Sequence, residues 1–269
     1  MFNIIKSEIK RLFKSKGFWL SIAIFILIYS LCIFMLLTSQ ESGVLPKTSA
    51  KPESEFYLSF EFTFRSSIEI IVKSLNSFAT TFGHSLGSLI LGIYLAIFVC
   101  NEYSSGYIKN IATLPNGRLA LVVSKIAVAV FIDLIIILLS YSIGFILGNL
   151  LIDGFIIESI GLILKSSAVM FIMSLALFSM LIAITSIFRS RASGIILVLL
   201  ISSSMLQPLF TSLFDLVNLS FLSKYTLSYF FLNGSLVNEN EFIRVILISL
   251  LYTIIYNGVS IGIIQKRDI

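Results

Sequence analysis

The sequence predicts an all-α integral membrane protein with six transmembrane helices, preceded by an amphipathic interfacial helix. Three observations carry that expectation. Apolar residues make up 57% of the chain and charged residues 12%, about half the charged share usual in soluble domains. With a mean hydropathy of +1.02, a fold in water would have to hide more apolar surface than a chain of this size can enclose. The apolar residues also fall into runs of about 20, the length that crosses a hydrocarbon core of roughly 30 Å.

The elements follow in order as one membrane domain spanning 1–269. Residues 1–16 place Phe2, Ile5, Ile9, Leu12 and Phe13 on one helical face and Lys6, Lys10 and Lys14 elsewhere. That pattern suits a helix lying on an anionic membrane surface; a basic flank that only sets topology is the alternative. Spans are expected at about 18–37, 80–100, 121–150, 162–188, 193–214 and 245–264. The first exceeds the apolar core of about 7–15 residues typical of a signal peptide and reads as a permanent anchor. The third and fourth are longer than a crossing needs and should tilt or project.

Between the first two spans, 38–79 forms an expected outer loop. Its early part carries Pro46 and Pro52, and 60–75 is amphipathic. The fifth span is interrupted at Ser202-Ser203-Ser204-Met205-Leu206-Gln207-Pro208, because proline lacks an N–H and disfavours helix at the residue before it. Short helices in the outer leaflet and a kink followed by a loop both fit this stretch. Gly83-x-x-x-Gly87, Gly144-x-x-x-Gly148 and Gly258-x-x-x-Gly262 each permit close helix contact, a common feature of membrane helices.

Basic residues orient the chain. Lys6, Lys10, Arg11, Lys14 and Lys16 precede the first span. Lys109, Arg118 and Lys125 surround the loop after the second, Arg189 and Arg191 follow the fourth, and Lys266 and Arg267 close the sequence. Most carboxylates fall on the other side, among them Glu53, Glu55, Glu61, Glu69, Glu239 and Glu241. Both termini are therefore expected on the cytoplasmic face, which needs an even number of crossings.

Several chemistries are excluded. No glycine precedes a lysine, so the chain holds no P-loop for ATP. His84 is the sole histidine, which removes His-based zinc clusters, and at the outer end of a span it reads as a packing residue. Cys32 and Cys100 fall toward opposite membrane faces and cannot form one disulfide. Lys165 lies near enough to a span end to snorkel. Asp133, inside the third span, is the costly exception. It must face the bundle interior or a water-filled path, either as an acceptor for a neighbouring hydroxyl or as a transport-path residue.

One polar insert between apolar runs stands out: Asn101 to Asn110, continuing through Leu114-Pro115-Asn116-Gly117-Arg118. It is amphipathic enough for a short helix, closed by a Pro-Asn-Gly turn. Glu102, Gly106, Lys109, Pro115 and Arg118 match the pattern E-x-x-x-G-x-x-K-x-x-x-x-x-P-x-x-R. This resembles the cytoplasmic coupling region of ABC-2 type transporter permeases, with Tyr107 where threonine is more usual. The layout resembles that family too, in its interfacial helix, six spans, large first outer loop and irregular fifth span.

The resemblance implies the permease subunit of an ABC exporter in a bacterial cell membrane, with no catalytic residue or cofactor of its own. ATP and Mg would sit on a separate ATPase, in two copies, docked at 101–118. Tyr107, Ile108 and Ile111 would supply an apolar face, Gly106 close approach, and Arg118 a contact to an acidic rim or lipid phosphate. A second permease copy, or a related permease, would complete the path, and membrane lipid rather than nucleic acid is the other expected partner. Permeases of this size commonly serve peptide export or bacteriocin immunity, which points to an amphipathic peptide or lipophilic antibiotic as substrate. Rival classes are a CAAX-type intramembrane protease, which needs Glu-Glu and His motifs that are missing here, and the substrate-capture subunit of a vitamin importer.

The orientation is directly testable. Cysteines introduced at Ser54 and Asn238 should react with an impermeant reagent added outside intact cells, and one at Asn116 should not. Outside labelling at Asn116 would reverse the topology.

Overall fold

The computed structural model describes residues 2–41, 79, 83–104, 106, 111, 117–151, 157, 159–203, 206–217, 219–233 and 239–266. The described residues are helical. The expected outer loop lies outside them apart from 38–41, which extend the first long helix, and Ala79.

Helix α1 (Phe2–Lys14) turns into α2 (Lys16–Glu41) through Ser15 alone. The Ser15 N–H bonds the Leu12 carbonyl at 3.1 Å, and Phe18 N–H bonds Ser15 at 3.2 Å. Helix α1 packs against α4 (Gly117–Leu151) and presents three faces. Lys6, Lys10 and Lys14 are exposed on one and Phe2 and Phe13 on a second. The third, turned into the protein, carries Leu12 together with the buried carboxylate of Glu8. The expected division into one apolar and one basic face is therefore incomplete: a charged stripe faces inward.

Helix α3 (His84–Ser104) returns from the far end, α4 goes out again, and α5 (Ile160–Phe188) comes back. Without a hydrophobic force between helices in lipid, close contact depends on small side chains that let backbones approach. A Cβ at Gly87 would come within 2.5 Å of Ile136 on α4, and one at Gly83 within 2.7 Å of Ser140. Helix α5 is the hub, touched by α3, α4 and α6 (Arg191–Ser202), and most extensively by α9 (Glu239–Lys266). Helix α5 buries Ala176, Ser179 and Ala183, α9 buries Ser249, Thr253 and Ser260, and Asn257 of α9 donates to Ser179 at 3.2 Å. Outward surfaces carry large apolar residues such as Trp19, Leu138 and Ile254, as a lipid boundary requires.

The fifth span, expected at 193–214 with an interruption at 202–208, is bent. Helix α6 ends at Ser202 and α7 (Leu206–Leu216) leaves at 77°. Twelve residues rise only about 18 Å, too short for a hydrocarbon core of roughly 30 Å. Pro208 falls in the first turn of α7, where its missing N–H costs nothing. A 3₁₀ turn (Ser220–Tyr225) and α8 (Leu227–Asn233) follow, and Thr226 ties back to buried Gln207 at 2.9 Å. Helix α8 packs on α5 and α6 near the far end.

Five helices are thus long and apolar enough to cross a membrane, and the bent α6–α7 pair counts as a sixth when taken as one span. Arg118 at the start of α4 donates to the Gln265 carbonyl near the end of α9 at 2.6 Å. This brings both ends of the described chain to one end of the bundle, called here the basic end.

The glycine contacts discriminate between positions. At Gly194 a Cβ would sit 2.7 Å from Thr185 Cγ2 and 2.9 Å from Ala96 Cβ, short side chains that cannot retreat. Gly194→Ala should therefore cost about 1–3 kcal/mol, read as a lower unfolding midpoint in detergent. Nothing lies within 4 Å at Gly258 or Gly262, so this third glycine pair joins no helices within the described chain, and Gly258→Ala should leave the midpoint unchanged.

Candidate coupling site at the basic end

Glu102 lies in the last turn of α3 with its carboxylate 1% exposed. Lys125, two turns into α4 and equally buried, donates to Glu102 Oε2 at 2.7 Å. Arg11 of α1 donates to Glu102 Oε1 and pairs with Glu8 Oε2 at 2.7 Å. Two carboxylates and two cations thus form one knot joining α1, α3 and α4. Each charge would be costly to bury singly, since desolvation exceeds what one loose contact returns.

Aromatic rings complete the knot. The Arg11 guanidinium stands 4.3 Å from the centre of the Phe98 ring. The Lys125 ammonium and the Arg189 guanidinium lie 5.1 and 5.7 Å from the Tyr103 ring. Such cation–π contacts hold a partly desolvated cation where water no longer can. The Tyr103 hydroxyl reaches Ser186 at 3.1 Å, which adds α5. Arg189 has its left-handed backbone (φ 51°) where α5 ends, with its N–H on the Thr185 carbonyl at 2.9 Å.

The residues expected to meet an ATPase take places that differ from expectation. Glu102 faces inward, onto Arg11 and Lys125. Ile111 is buried against Leu121, with Ile4 and Tyr103 beside it, so it anchors the segment to its own bundle and cannot serve a partner's groove. Arg118 is spent on α9. Gly106 has φ +70° and nothing within 4 Å of a Cβ position among the described residues, so its backbone conformation by itself calls for glycine. Tyr107, Ile108 and Pro115 lie outside the described residues.

A family model described as ABC-2 family transporter protein matches residues 4–205. The chain belongs to the ABC-2 transporter family. It is accordingly a multi-pass membrane protein and a permease subunit of an ABC transporter, and the family implies an ABC ATPase as partner. A comparison with curated proteins finds no match.

Elsewhere in this ABC-2 permease, Asp133 is fully buried between α4 and α5. The Ser174 hydroxyl donates to its Oδ1. His84 is buried and stacks on Phe231 with centroids 5.6 Å apart, the packing role expected of it. Cys32 and Cys100 are both unbridged, and Lys165 is exposed at the far end. No cluster of metal-ligating side chains occurs among the described residues.

Sequence reasoning missed Glu8, Arg11 and Lys125 as site residues, counting the two bases only as topology markers. A usable signal existed. An ammonium two turns inside a long apolar helix needs a counter-charge, and Glu102 ends the preceding span.

The charge balance yields a graded prediction. Lys125→Met leaves a buried carboxylate short of a cation and should cost about 3–5 kcal/mol. Arg11→Met, at a half-exposed position, should cost less. Glu102→Gln combined with Lys125→Met should recover part of the loss because the charges leave together. Thermal unfolding of the three variants in detergent measures this ranking.

Proposed function

We propose that this chain is the membrane subunit of an ATP-driven exporter in a bacterial cell membrane, with both termini in the cytoplasm. A separate ATPase, in two copies that bind ATP and Mg, docks at the basic end on 101–118. A second permease copy or a related permease completes the path. The observation that carries this reading is the anchoring of that segment's flanks. Glu102 is locked to α1 and α4, Ile111 is packed on Leu121, and Arg118 is bonded to α9.

A force applied to a segment held this way is passed to α3 and α4 together, as a rigid-body tilt. Tyr107 and Ile108 supply the apolar contact with the ATPase, while Glu102, Ile111 and Arg118 position it from behind. An amphipathic peptide or lipophilic antibiotic, as in bacteriocin immunity, is the substrate class that fits a permease of this size and composition.

Truncating Tyr107 and Ile108 to Ala should weaken ATPase binding by a few kcal/mol, as removal of central apolar anchors does, while membrane insertion stays intact. Co-purification and substrate-stimulated ATP hydrolysis read the effect. Normal values of both would reduce 101–118 to a connector.

A further inference from the structure

We propose that the polar atoms around Asp133 form a binding site for the primary ammonium group of the transported molecule. This rests on the permease reading and names its substrate class: a lipophilic or amphipathic amine.

The first observation is a set of buried atoms with no hydrogen-bond partner among the described residues: His84 Nε2, Ser88 Oγ, Asp133 Oδ2, Ser202 Oγ and Ser228 Oγ. Their residues are between 0% and 6% exposed. A buried polar atom left unbonded costs about 1–3 kcal/mol, so native interiors rarely keep one without a purpose.

The second is that helix packing gathers them. Gly92 on α3 lies against Phe178 of α5 and Val198 of α6. One turn nearer the far end, the same three faces present Ser88, Ser174 and Ser202. Ser174 is the residue that bonds Asp133 from α4. A further turn along α3 brings His84, stacked on Phe231 of α8, and Ser228 lies one turn before Phe231. Five helices thus contribute within about two turns of the bundle.

The third is chemical. His84 hydrogen-bonds the backbone of Met170. With that ring nitrogen donating to the carbonyl, Nε2 of an uncharged imidazole is an acceptor. The second Asp133 oxygen accepts once the carboxyl is ionised, the form that an incoming cation favours, and the serine hydroxyls adapt to either role. The site therefore calls for a ligand rich in donors. The other buried carboxylates, Glu8 and Glu102, lie beside Arg11 and Lys125, whereas no ion pair reaches Asp133 among the described residues. A primary ammonium brings three donors, no acceptor and one positive charge; water would bring donors without the charge. Helix α8 closes the site in this conformation, so occupancy accompanies the opening that transport requires.

The test uses the purified permease and three probes of equal chain length: dodecylamine, dodecanol and laurate. Dodecylamine should raise the unfolding midpoint, and dodecanol and laurate should not. Asp133→Asn should bind dodecylamine at least roughly tenfold more weakly, the loss of one charged hydrogen bond. His84→Phe, which keeps a ring against Phe231, and Ser88→Ala should each weaken it by a smaller factor, and these carry the test if Asp133→Asn fails to accumulate. An equal shift with dodecanol, or undiminished amine binding in all three variants, would overturn the site. Because the shift is read on the permease itself, failure to co-purify an ATPase would remove the transport reading without altering this result.

Discussion

The burial of the Glu102 carboxylate is the constraint on which the basic end depends. A carboxylate this enclosed needs compensation, and no single element supplies it. Lys125 comes from α4 and Arg11 from α1, while Glu8 balances the second cation. The knot therefore fixes where the N-terminal helix lies, how α3 ends and how α4 begins. Tyr103 and Ser186 extend it to α5. Buried ion pairs are poor sources of net stability. Their value here is positional, because this arrangement of the helices leaves each of the four charges accompanied.

Away from that end the bundle is organised by shape. In lipid, apolar surface gains little by leaving the hydrocarbon, so helices associate where small residues permit close packing. Helix α5 meets α9 at Ser179, and Gly92 and Gly194 bring α3 and α6 together. The bend between α6 and α7 fits the same logic. Non-helical backbone at membrane depth is tolerated where protein covers it, and here the stretch after α7 is tied back to that helix by the Thr226 bond to Gln207.

Two polar centres therefore sit at different depths of one helix set. The knot lies at the basic end of α3 and α4, and the Asp133 cluster lies on the same two helices toward the far end. For an ABC-2 permease this is a mechanically sensible division. On the proposed coupling, helices pushed at one end would move rigidly, and a displacement at the anchored segment would reach the polar level through α3 and α4 themselves.

By itself the sequence determined the class, most of the spans and the family pattern, because hydropathy, helix length and charge bias are local properties that hold whatever the neighbours are. It also marked Glu102 and Asp133, since a carboxylate in apolar surroundings is conspicuous alone. Tertiary structure decided what each was for. The partners of Glu102 stand 91 and 23 residues away, a separation at which no periodicity operates. Ile111 looked like an outward anchor because amphipathicity cannot say which body covers an apolar face, and packing turned it inward. Two similar glycine pairs divided once the helices were placed: Gly83 and Gly87 meet α4, while Gly258 and Gly262 meet nothing described. The reason is common to all of these. A residue's cost of burial can be read from its own chemistry, but its compensation depends on which distant side chain the fold brings against it.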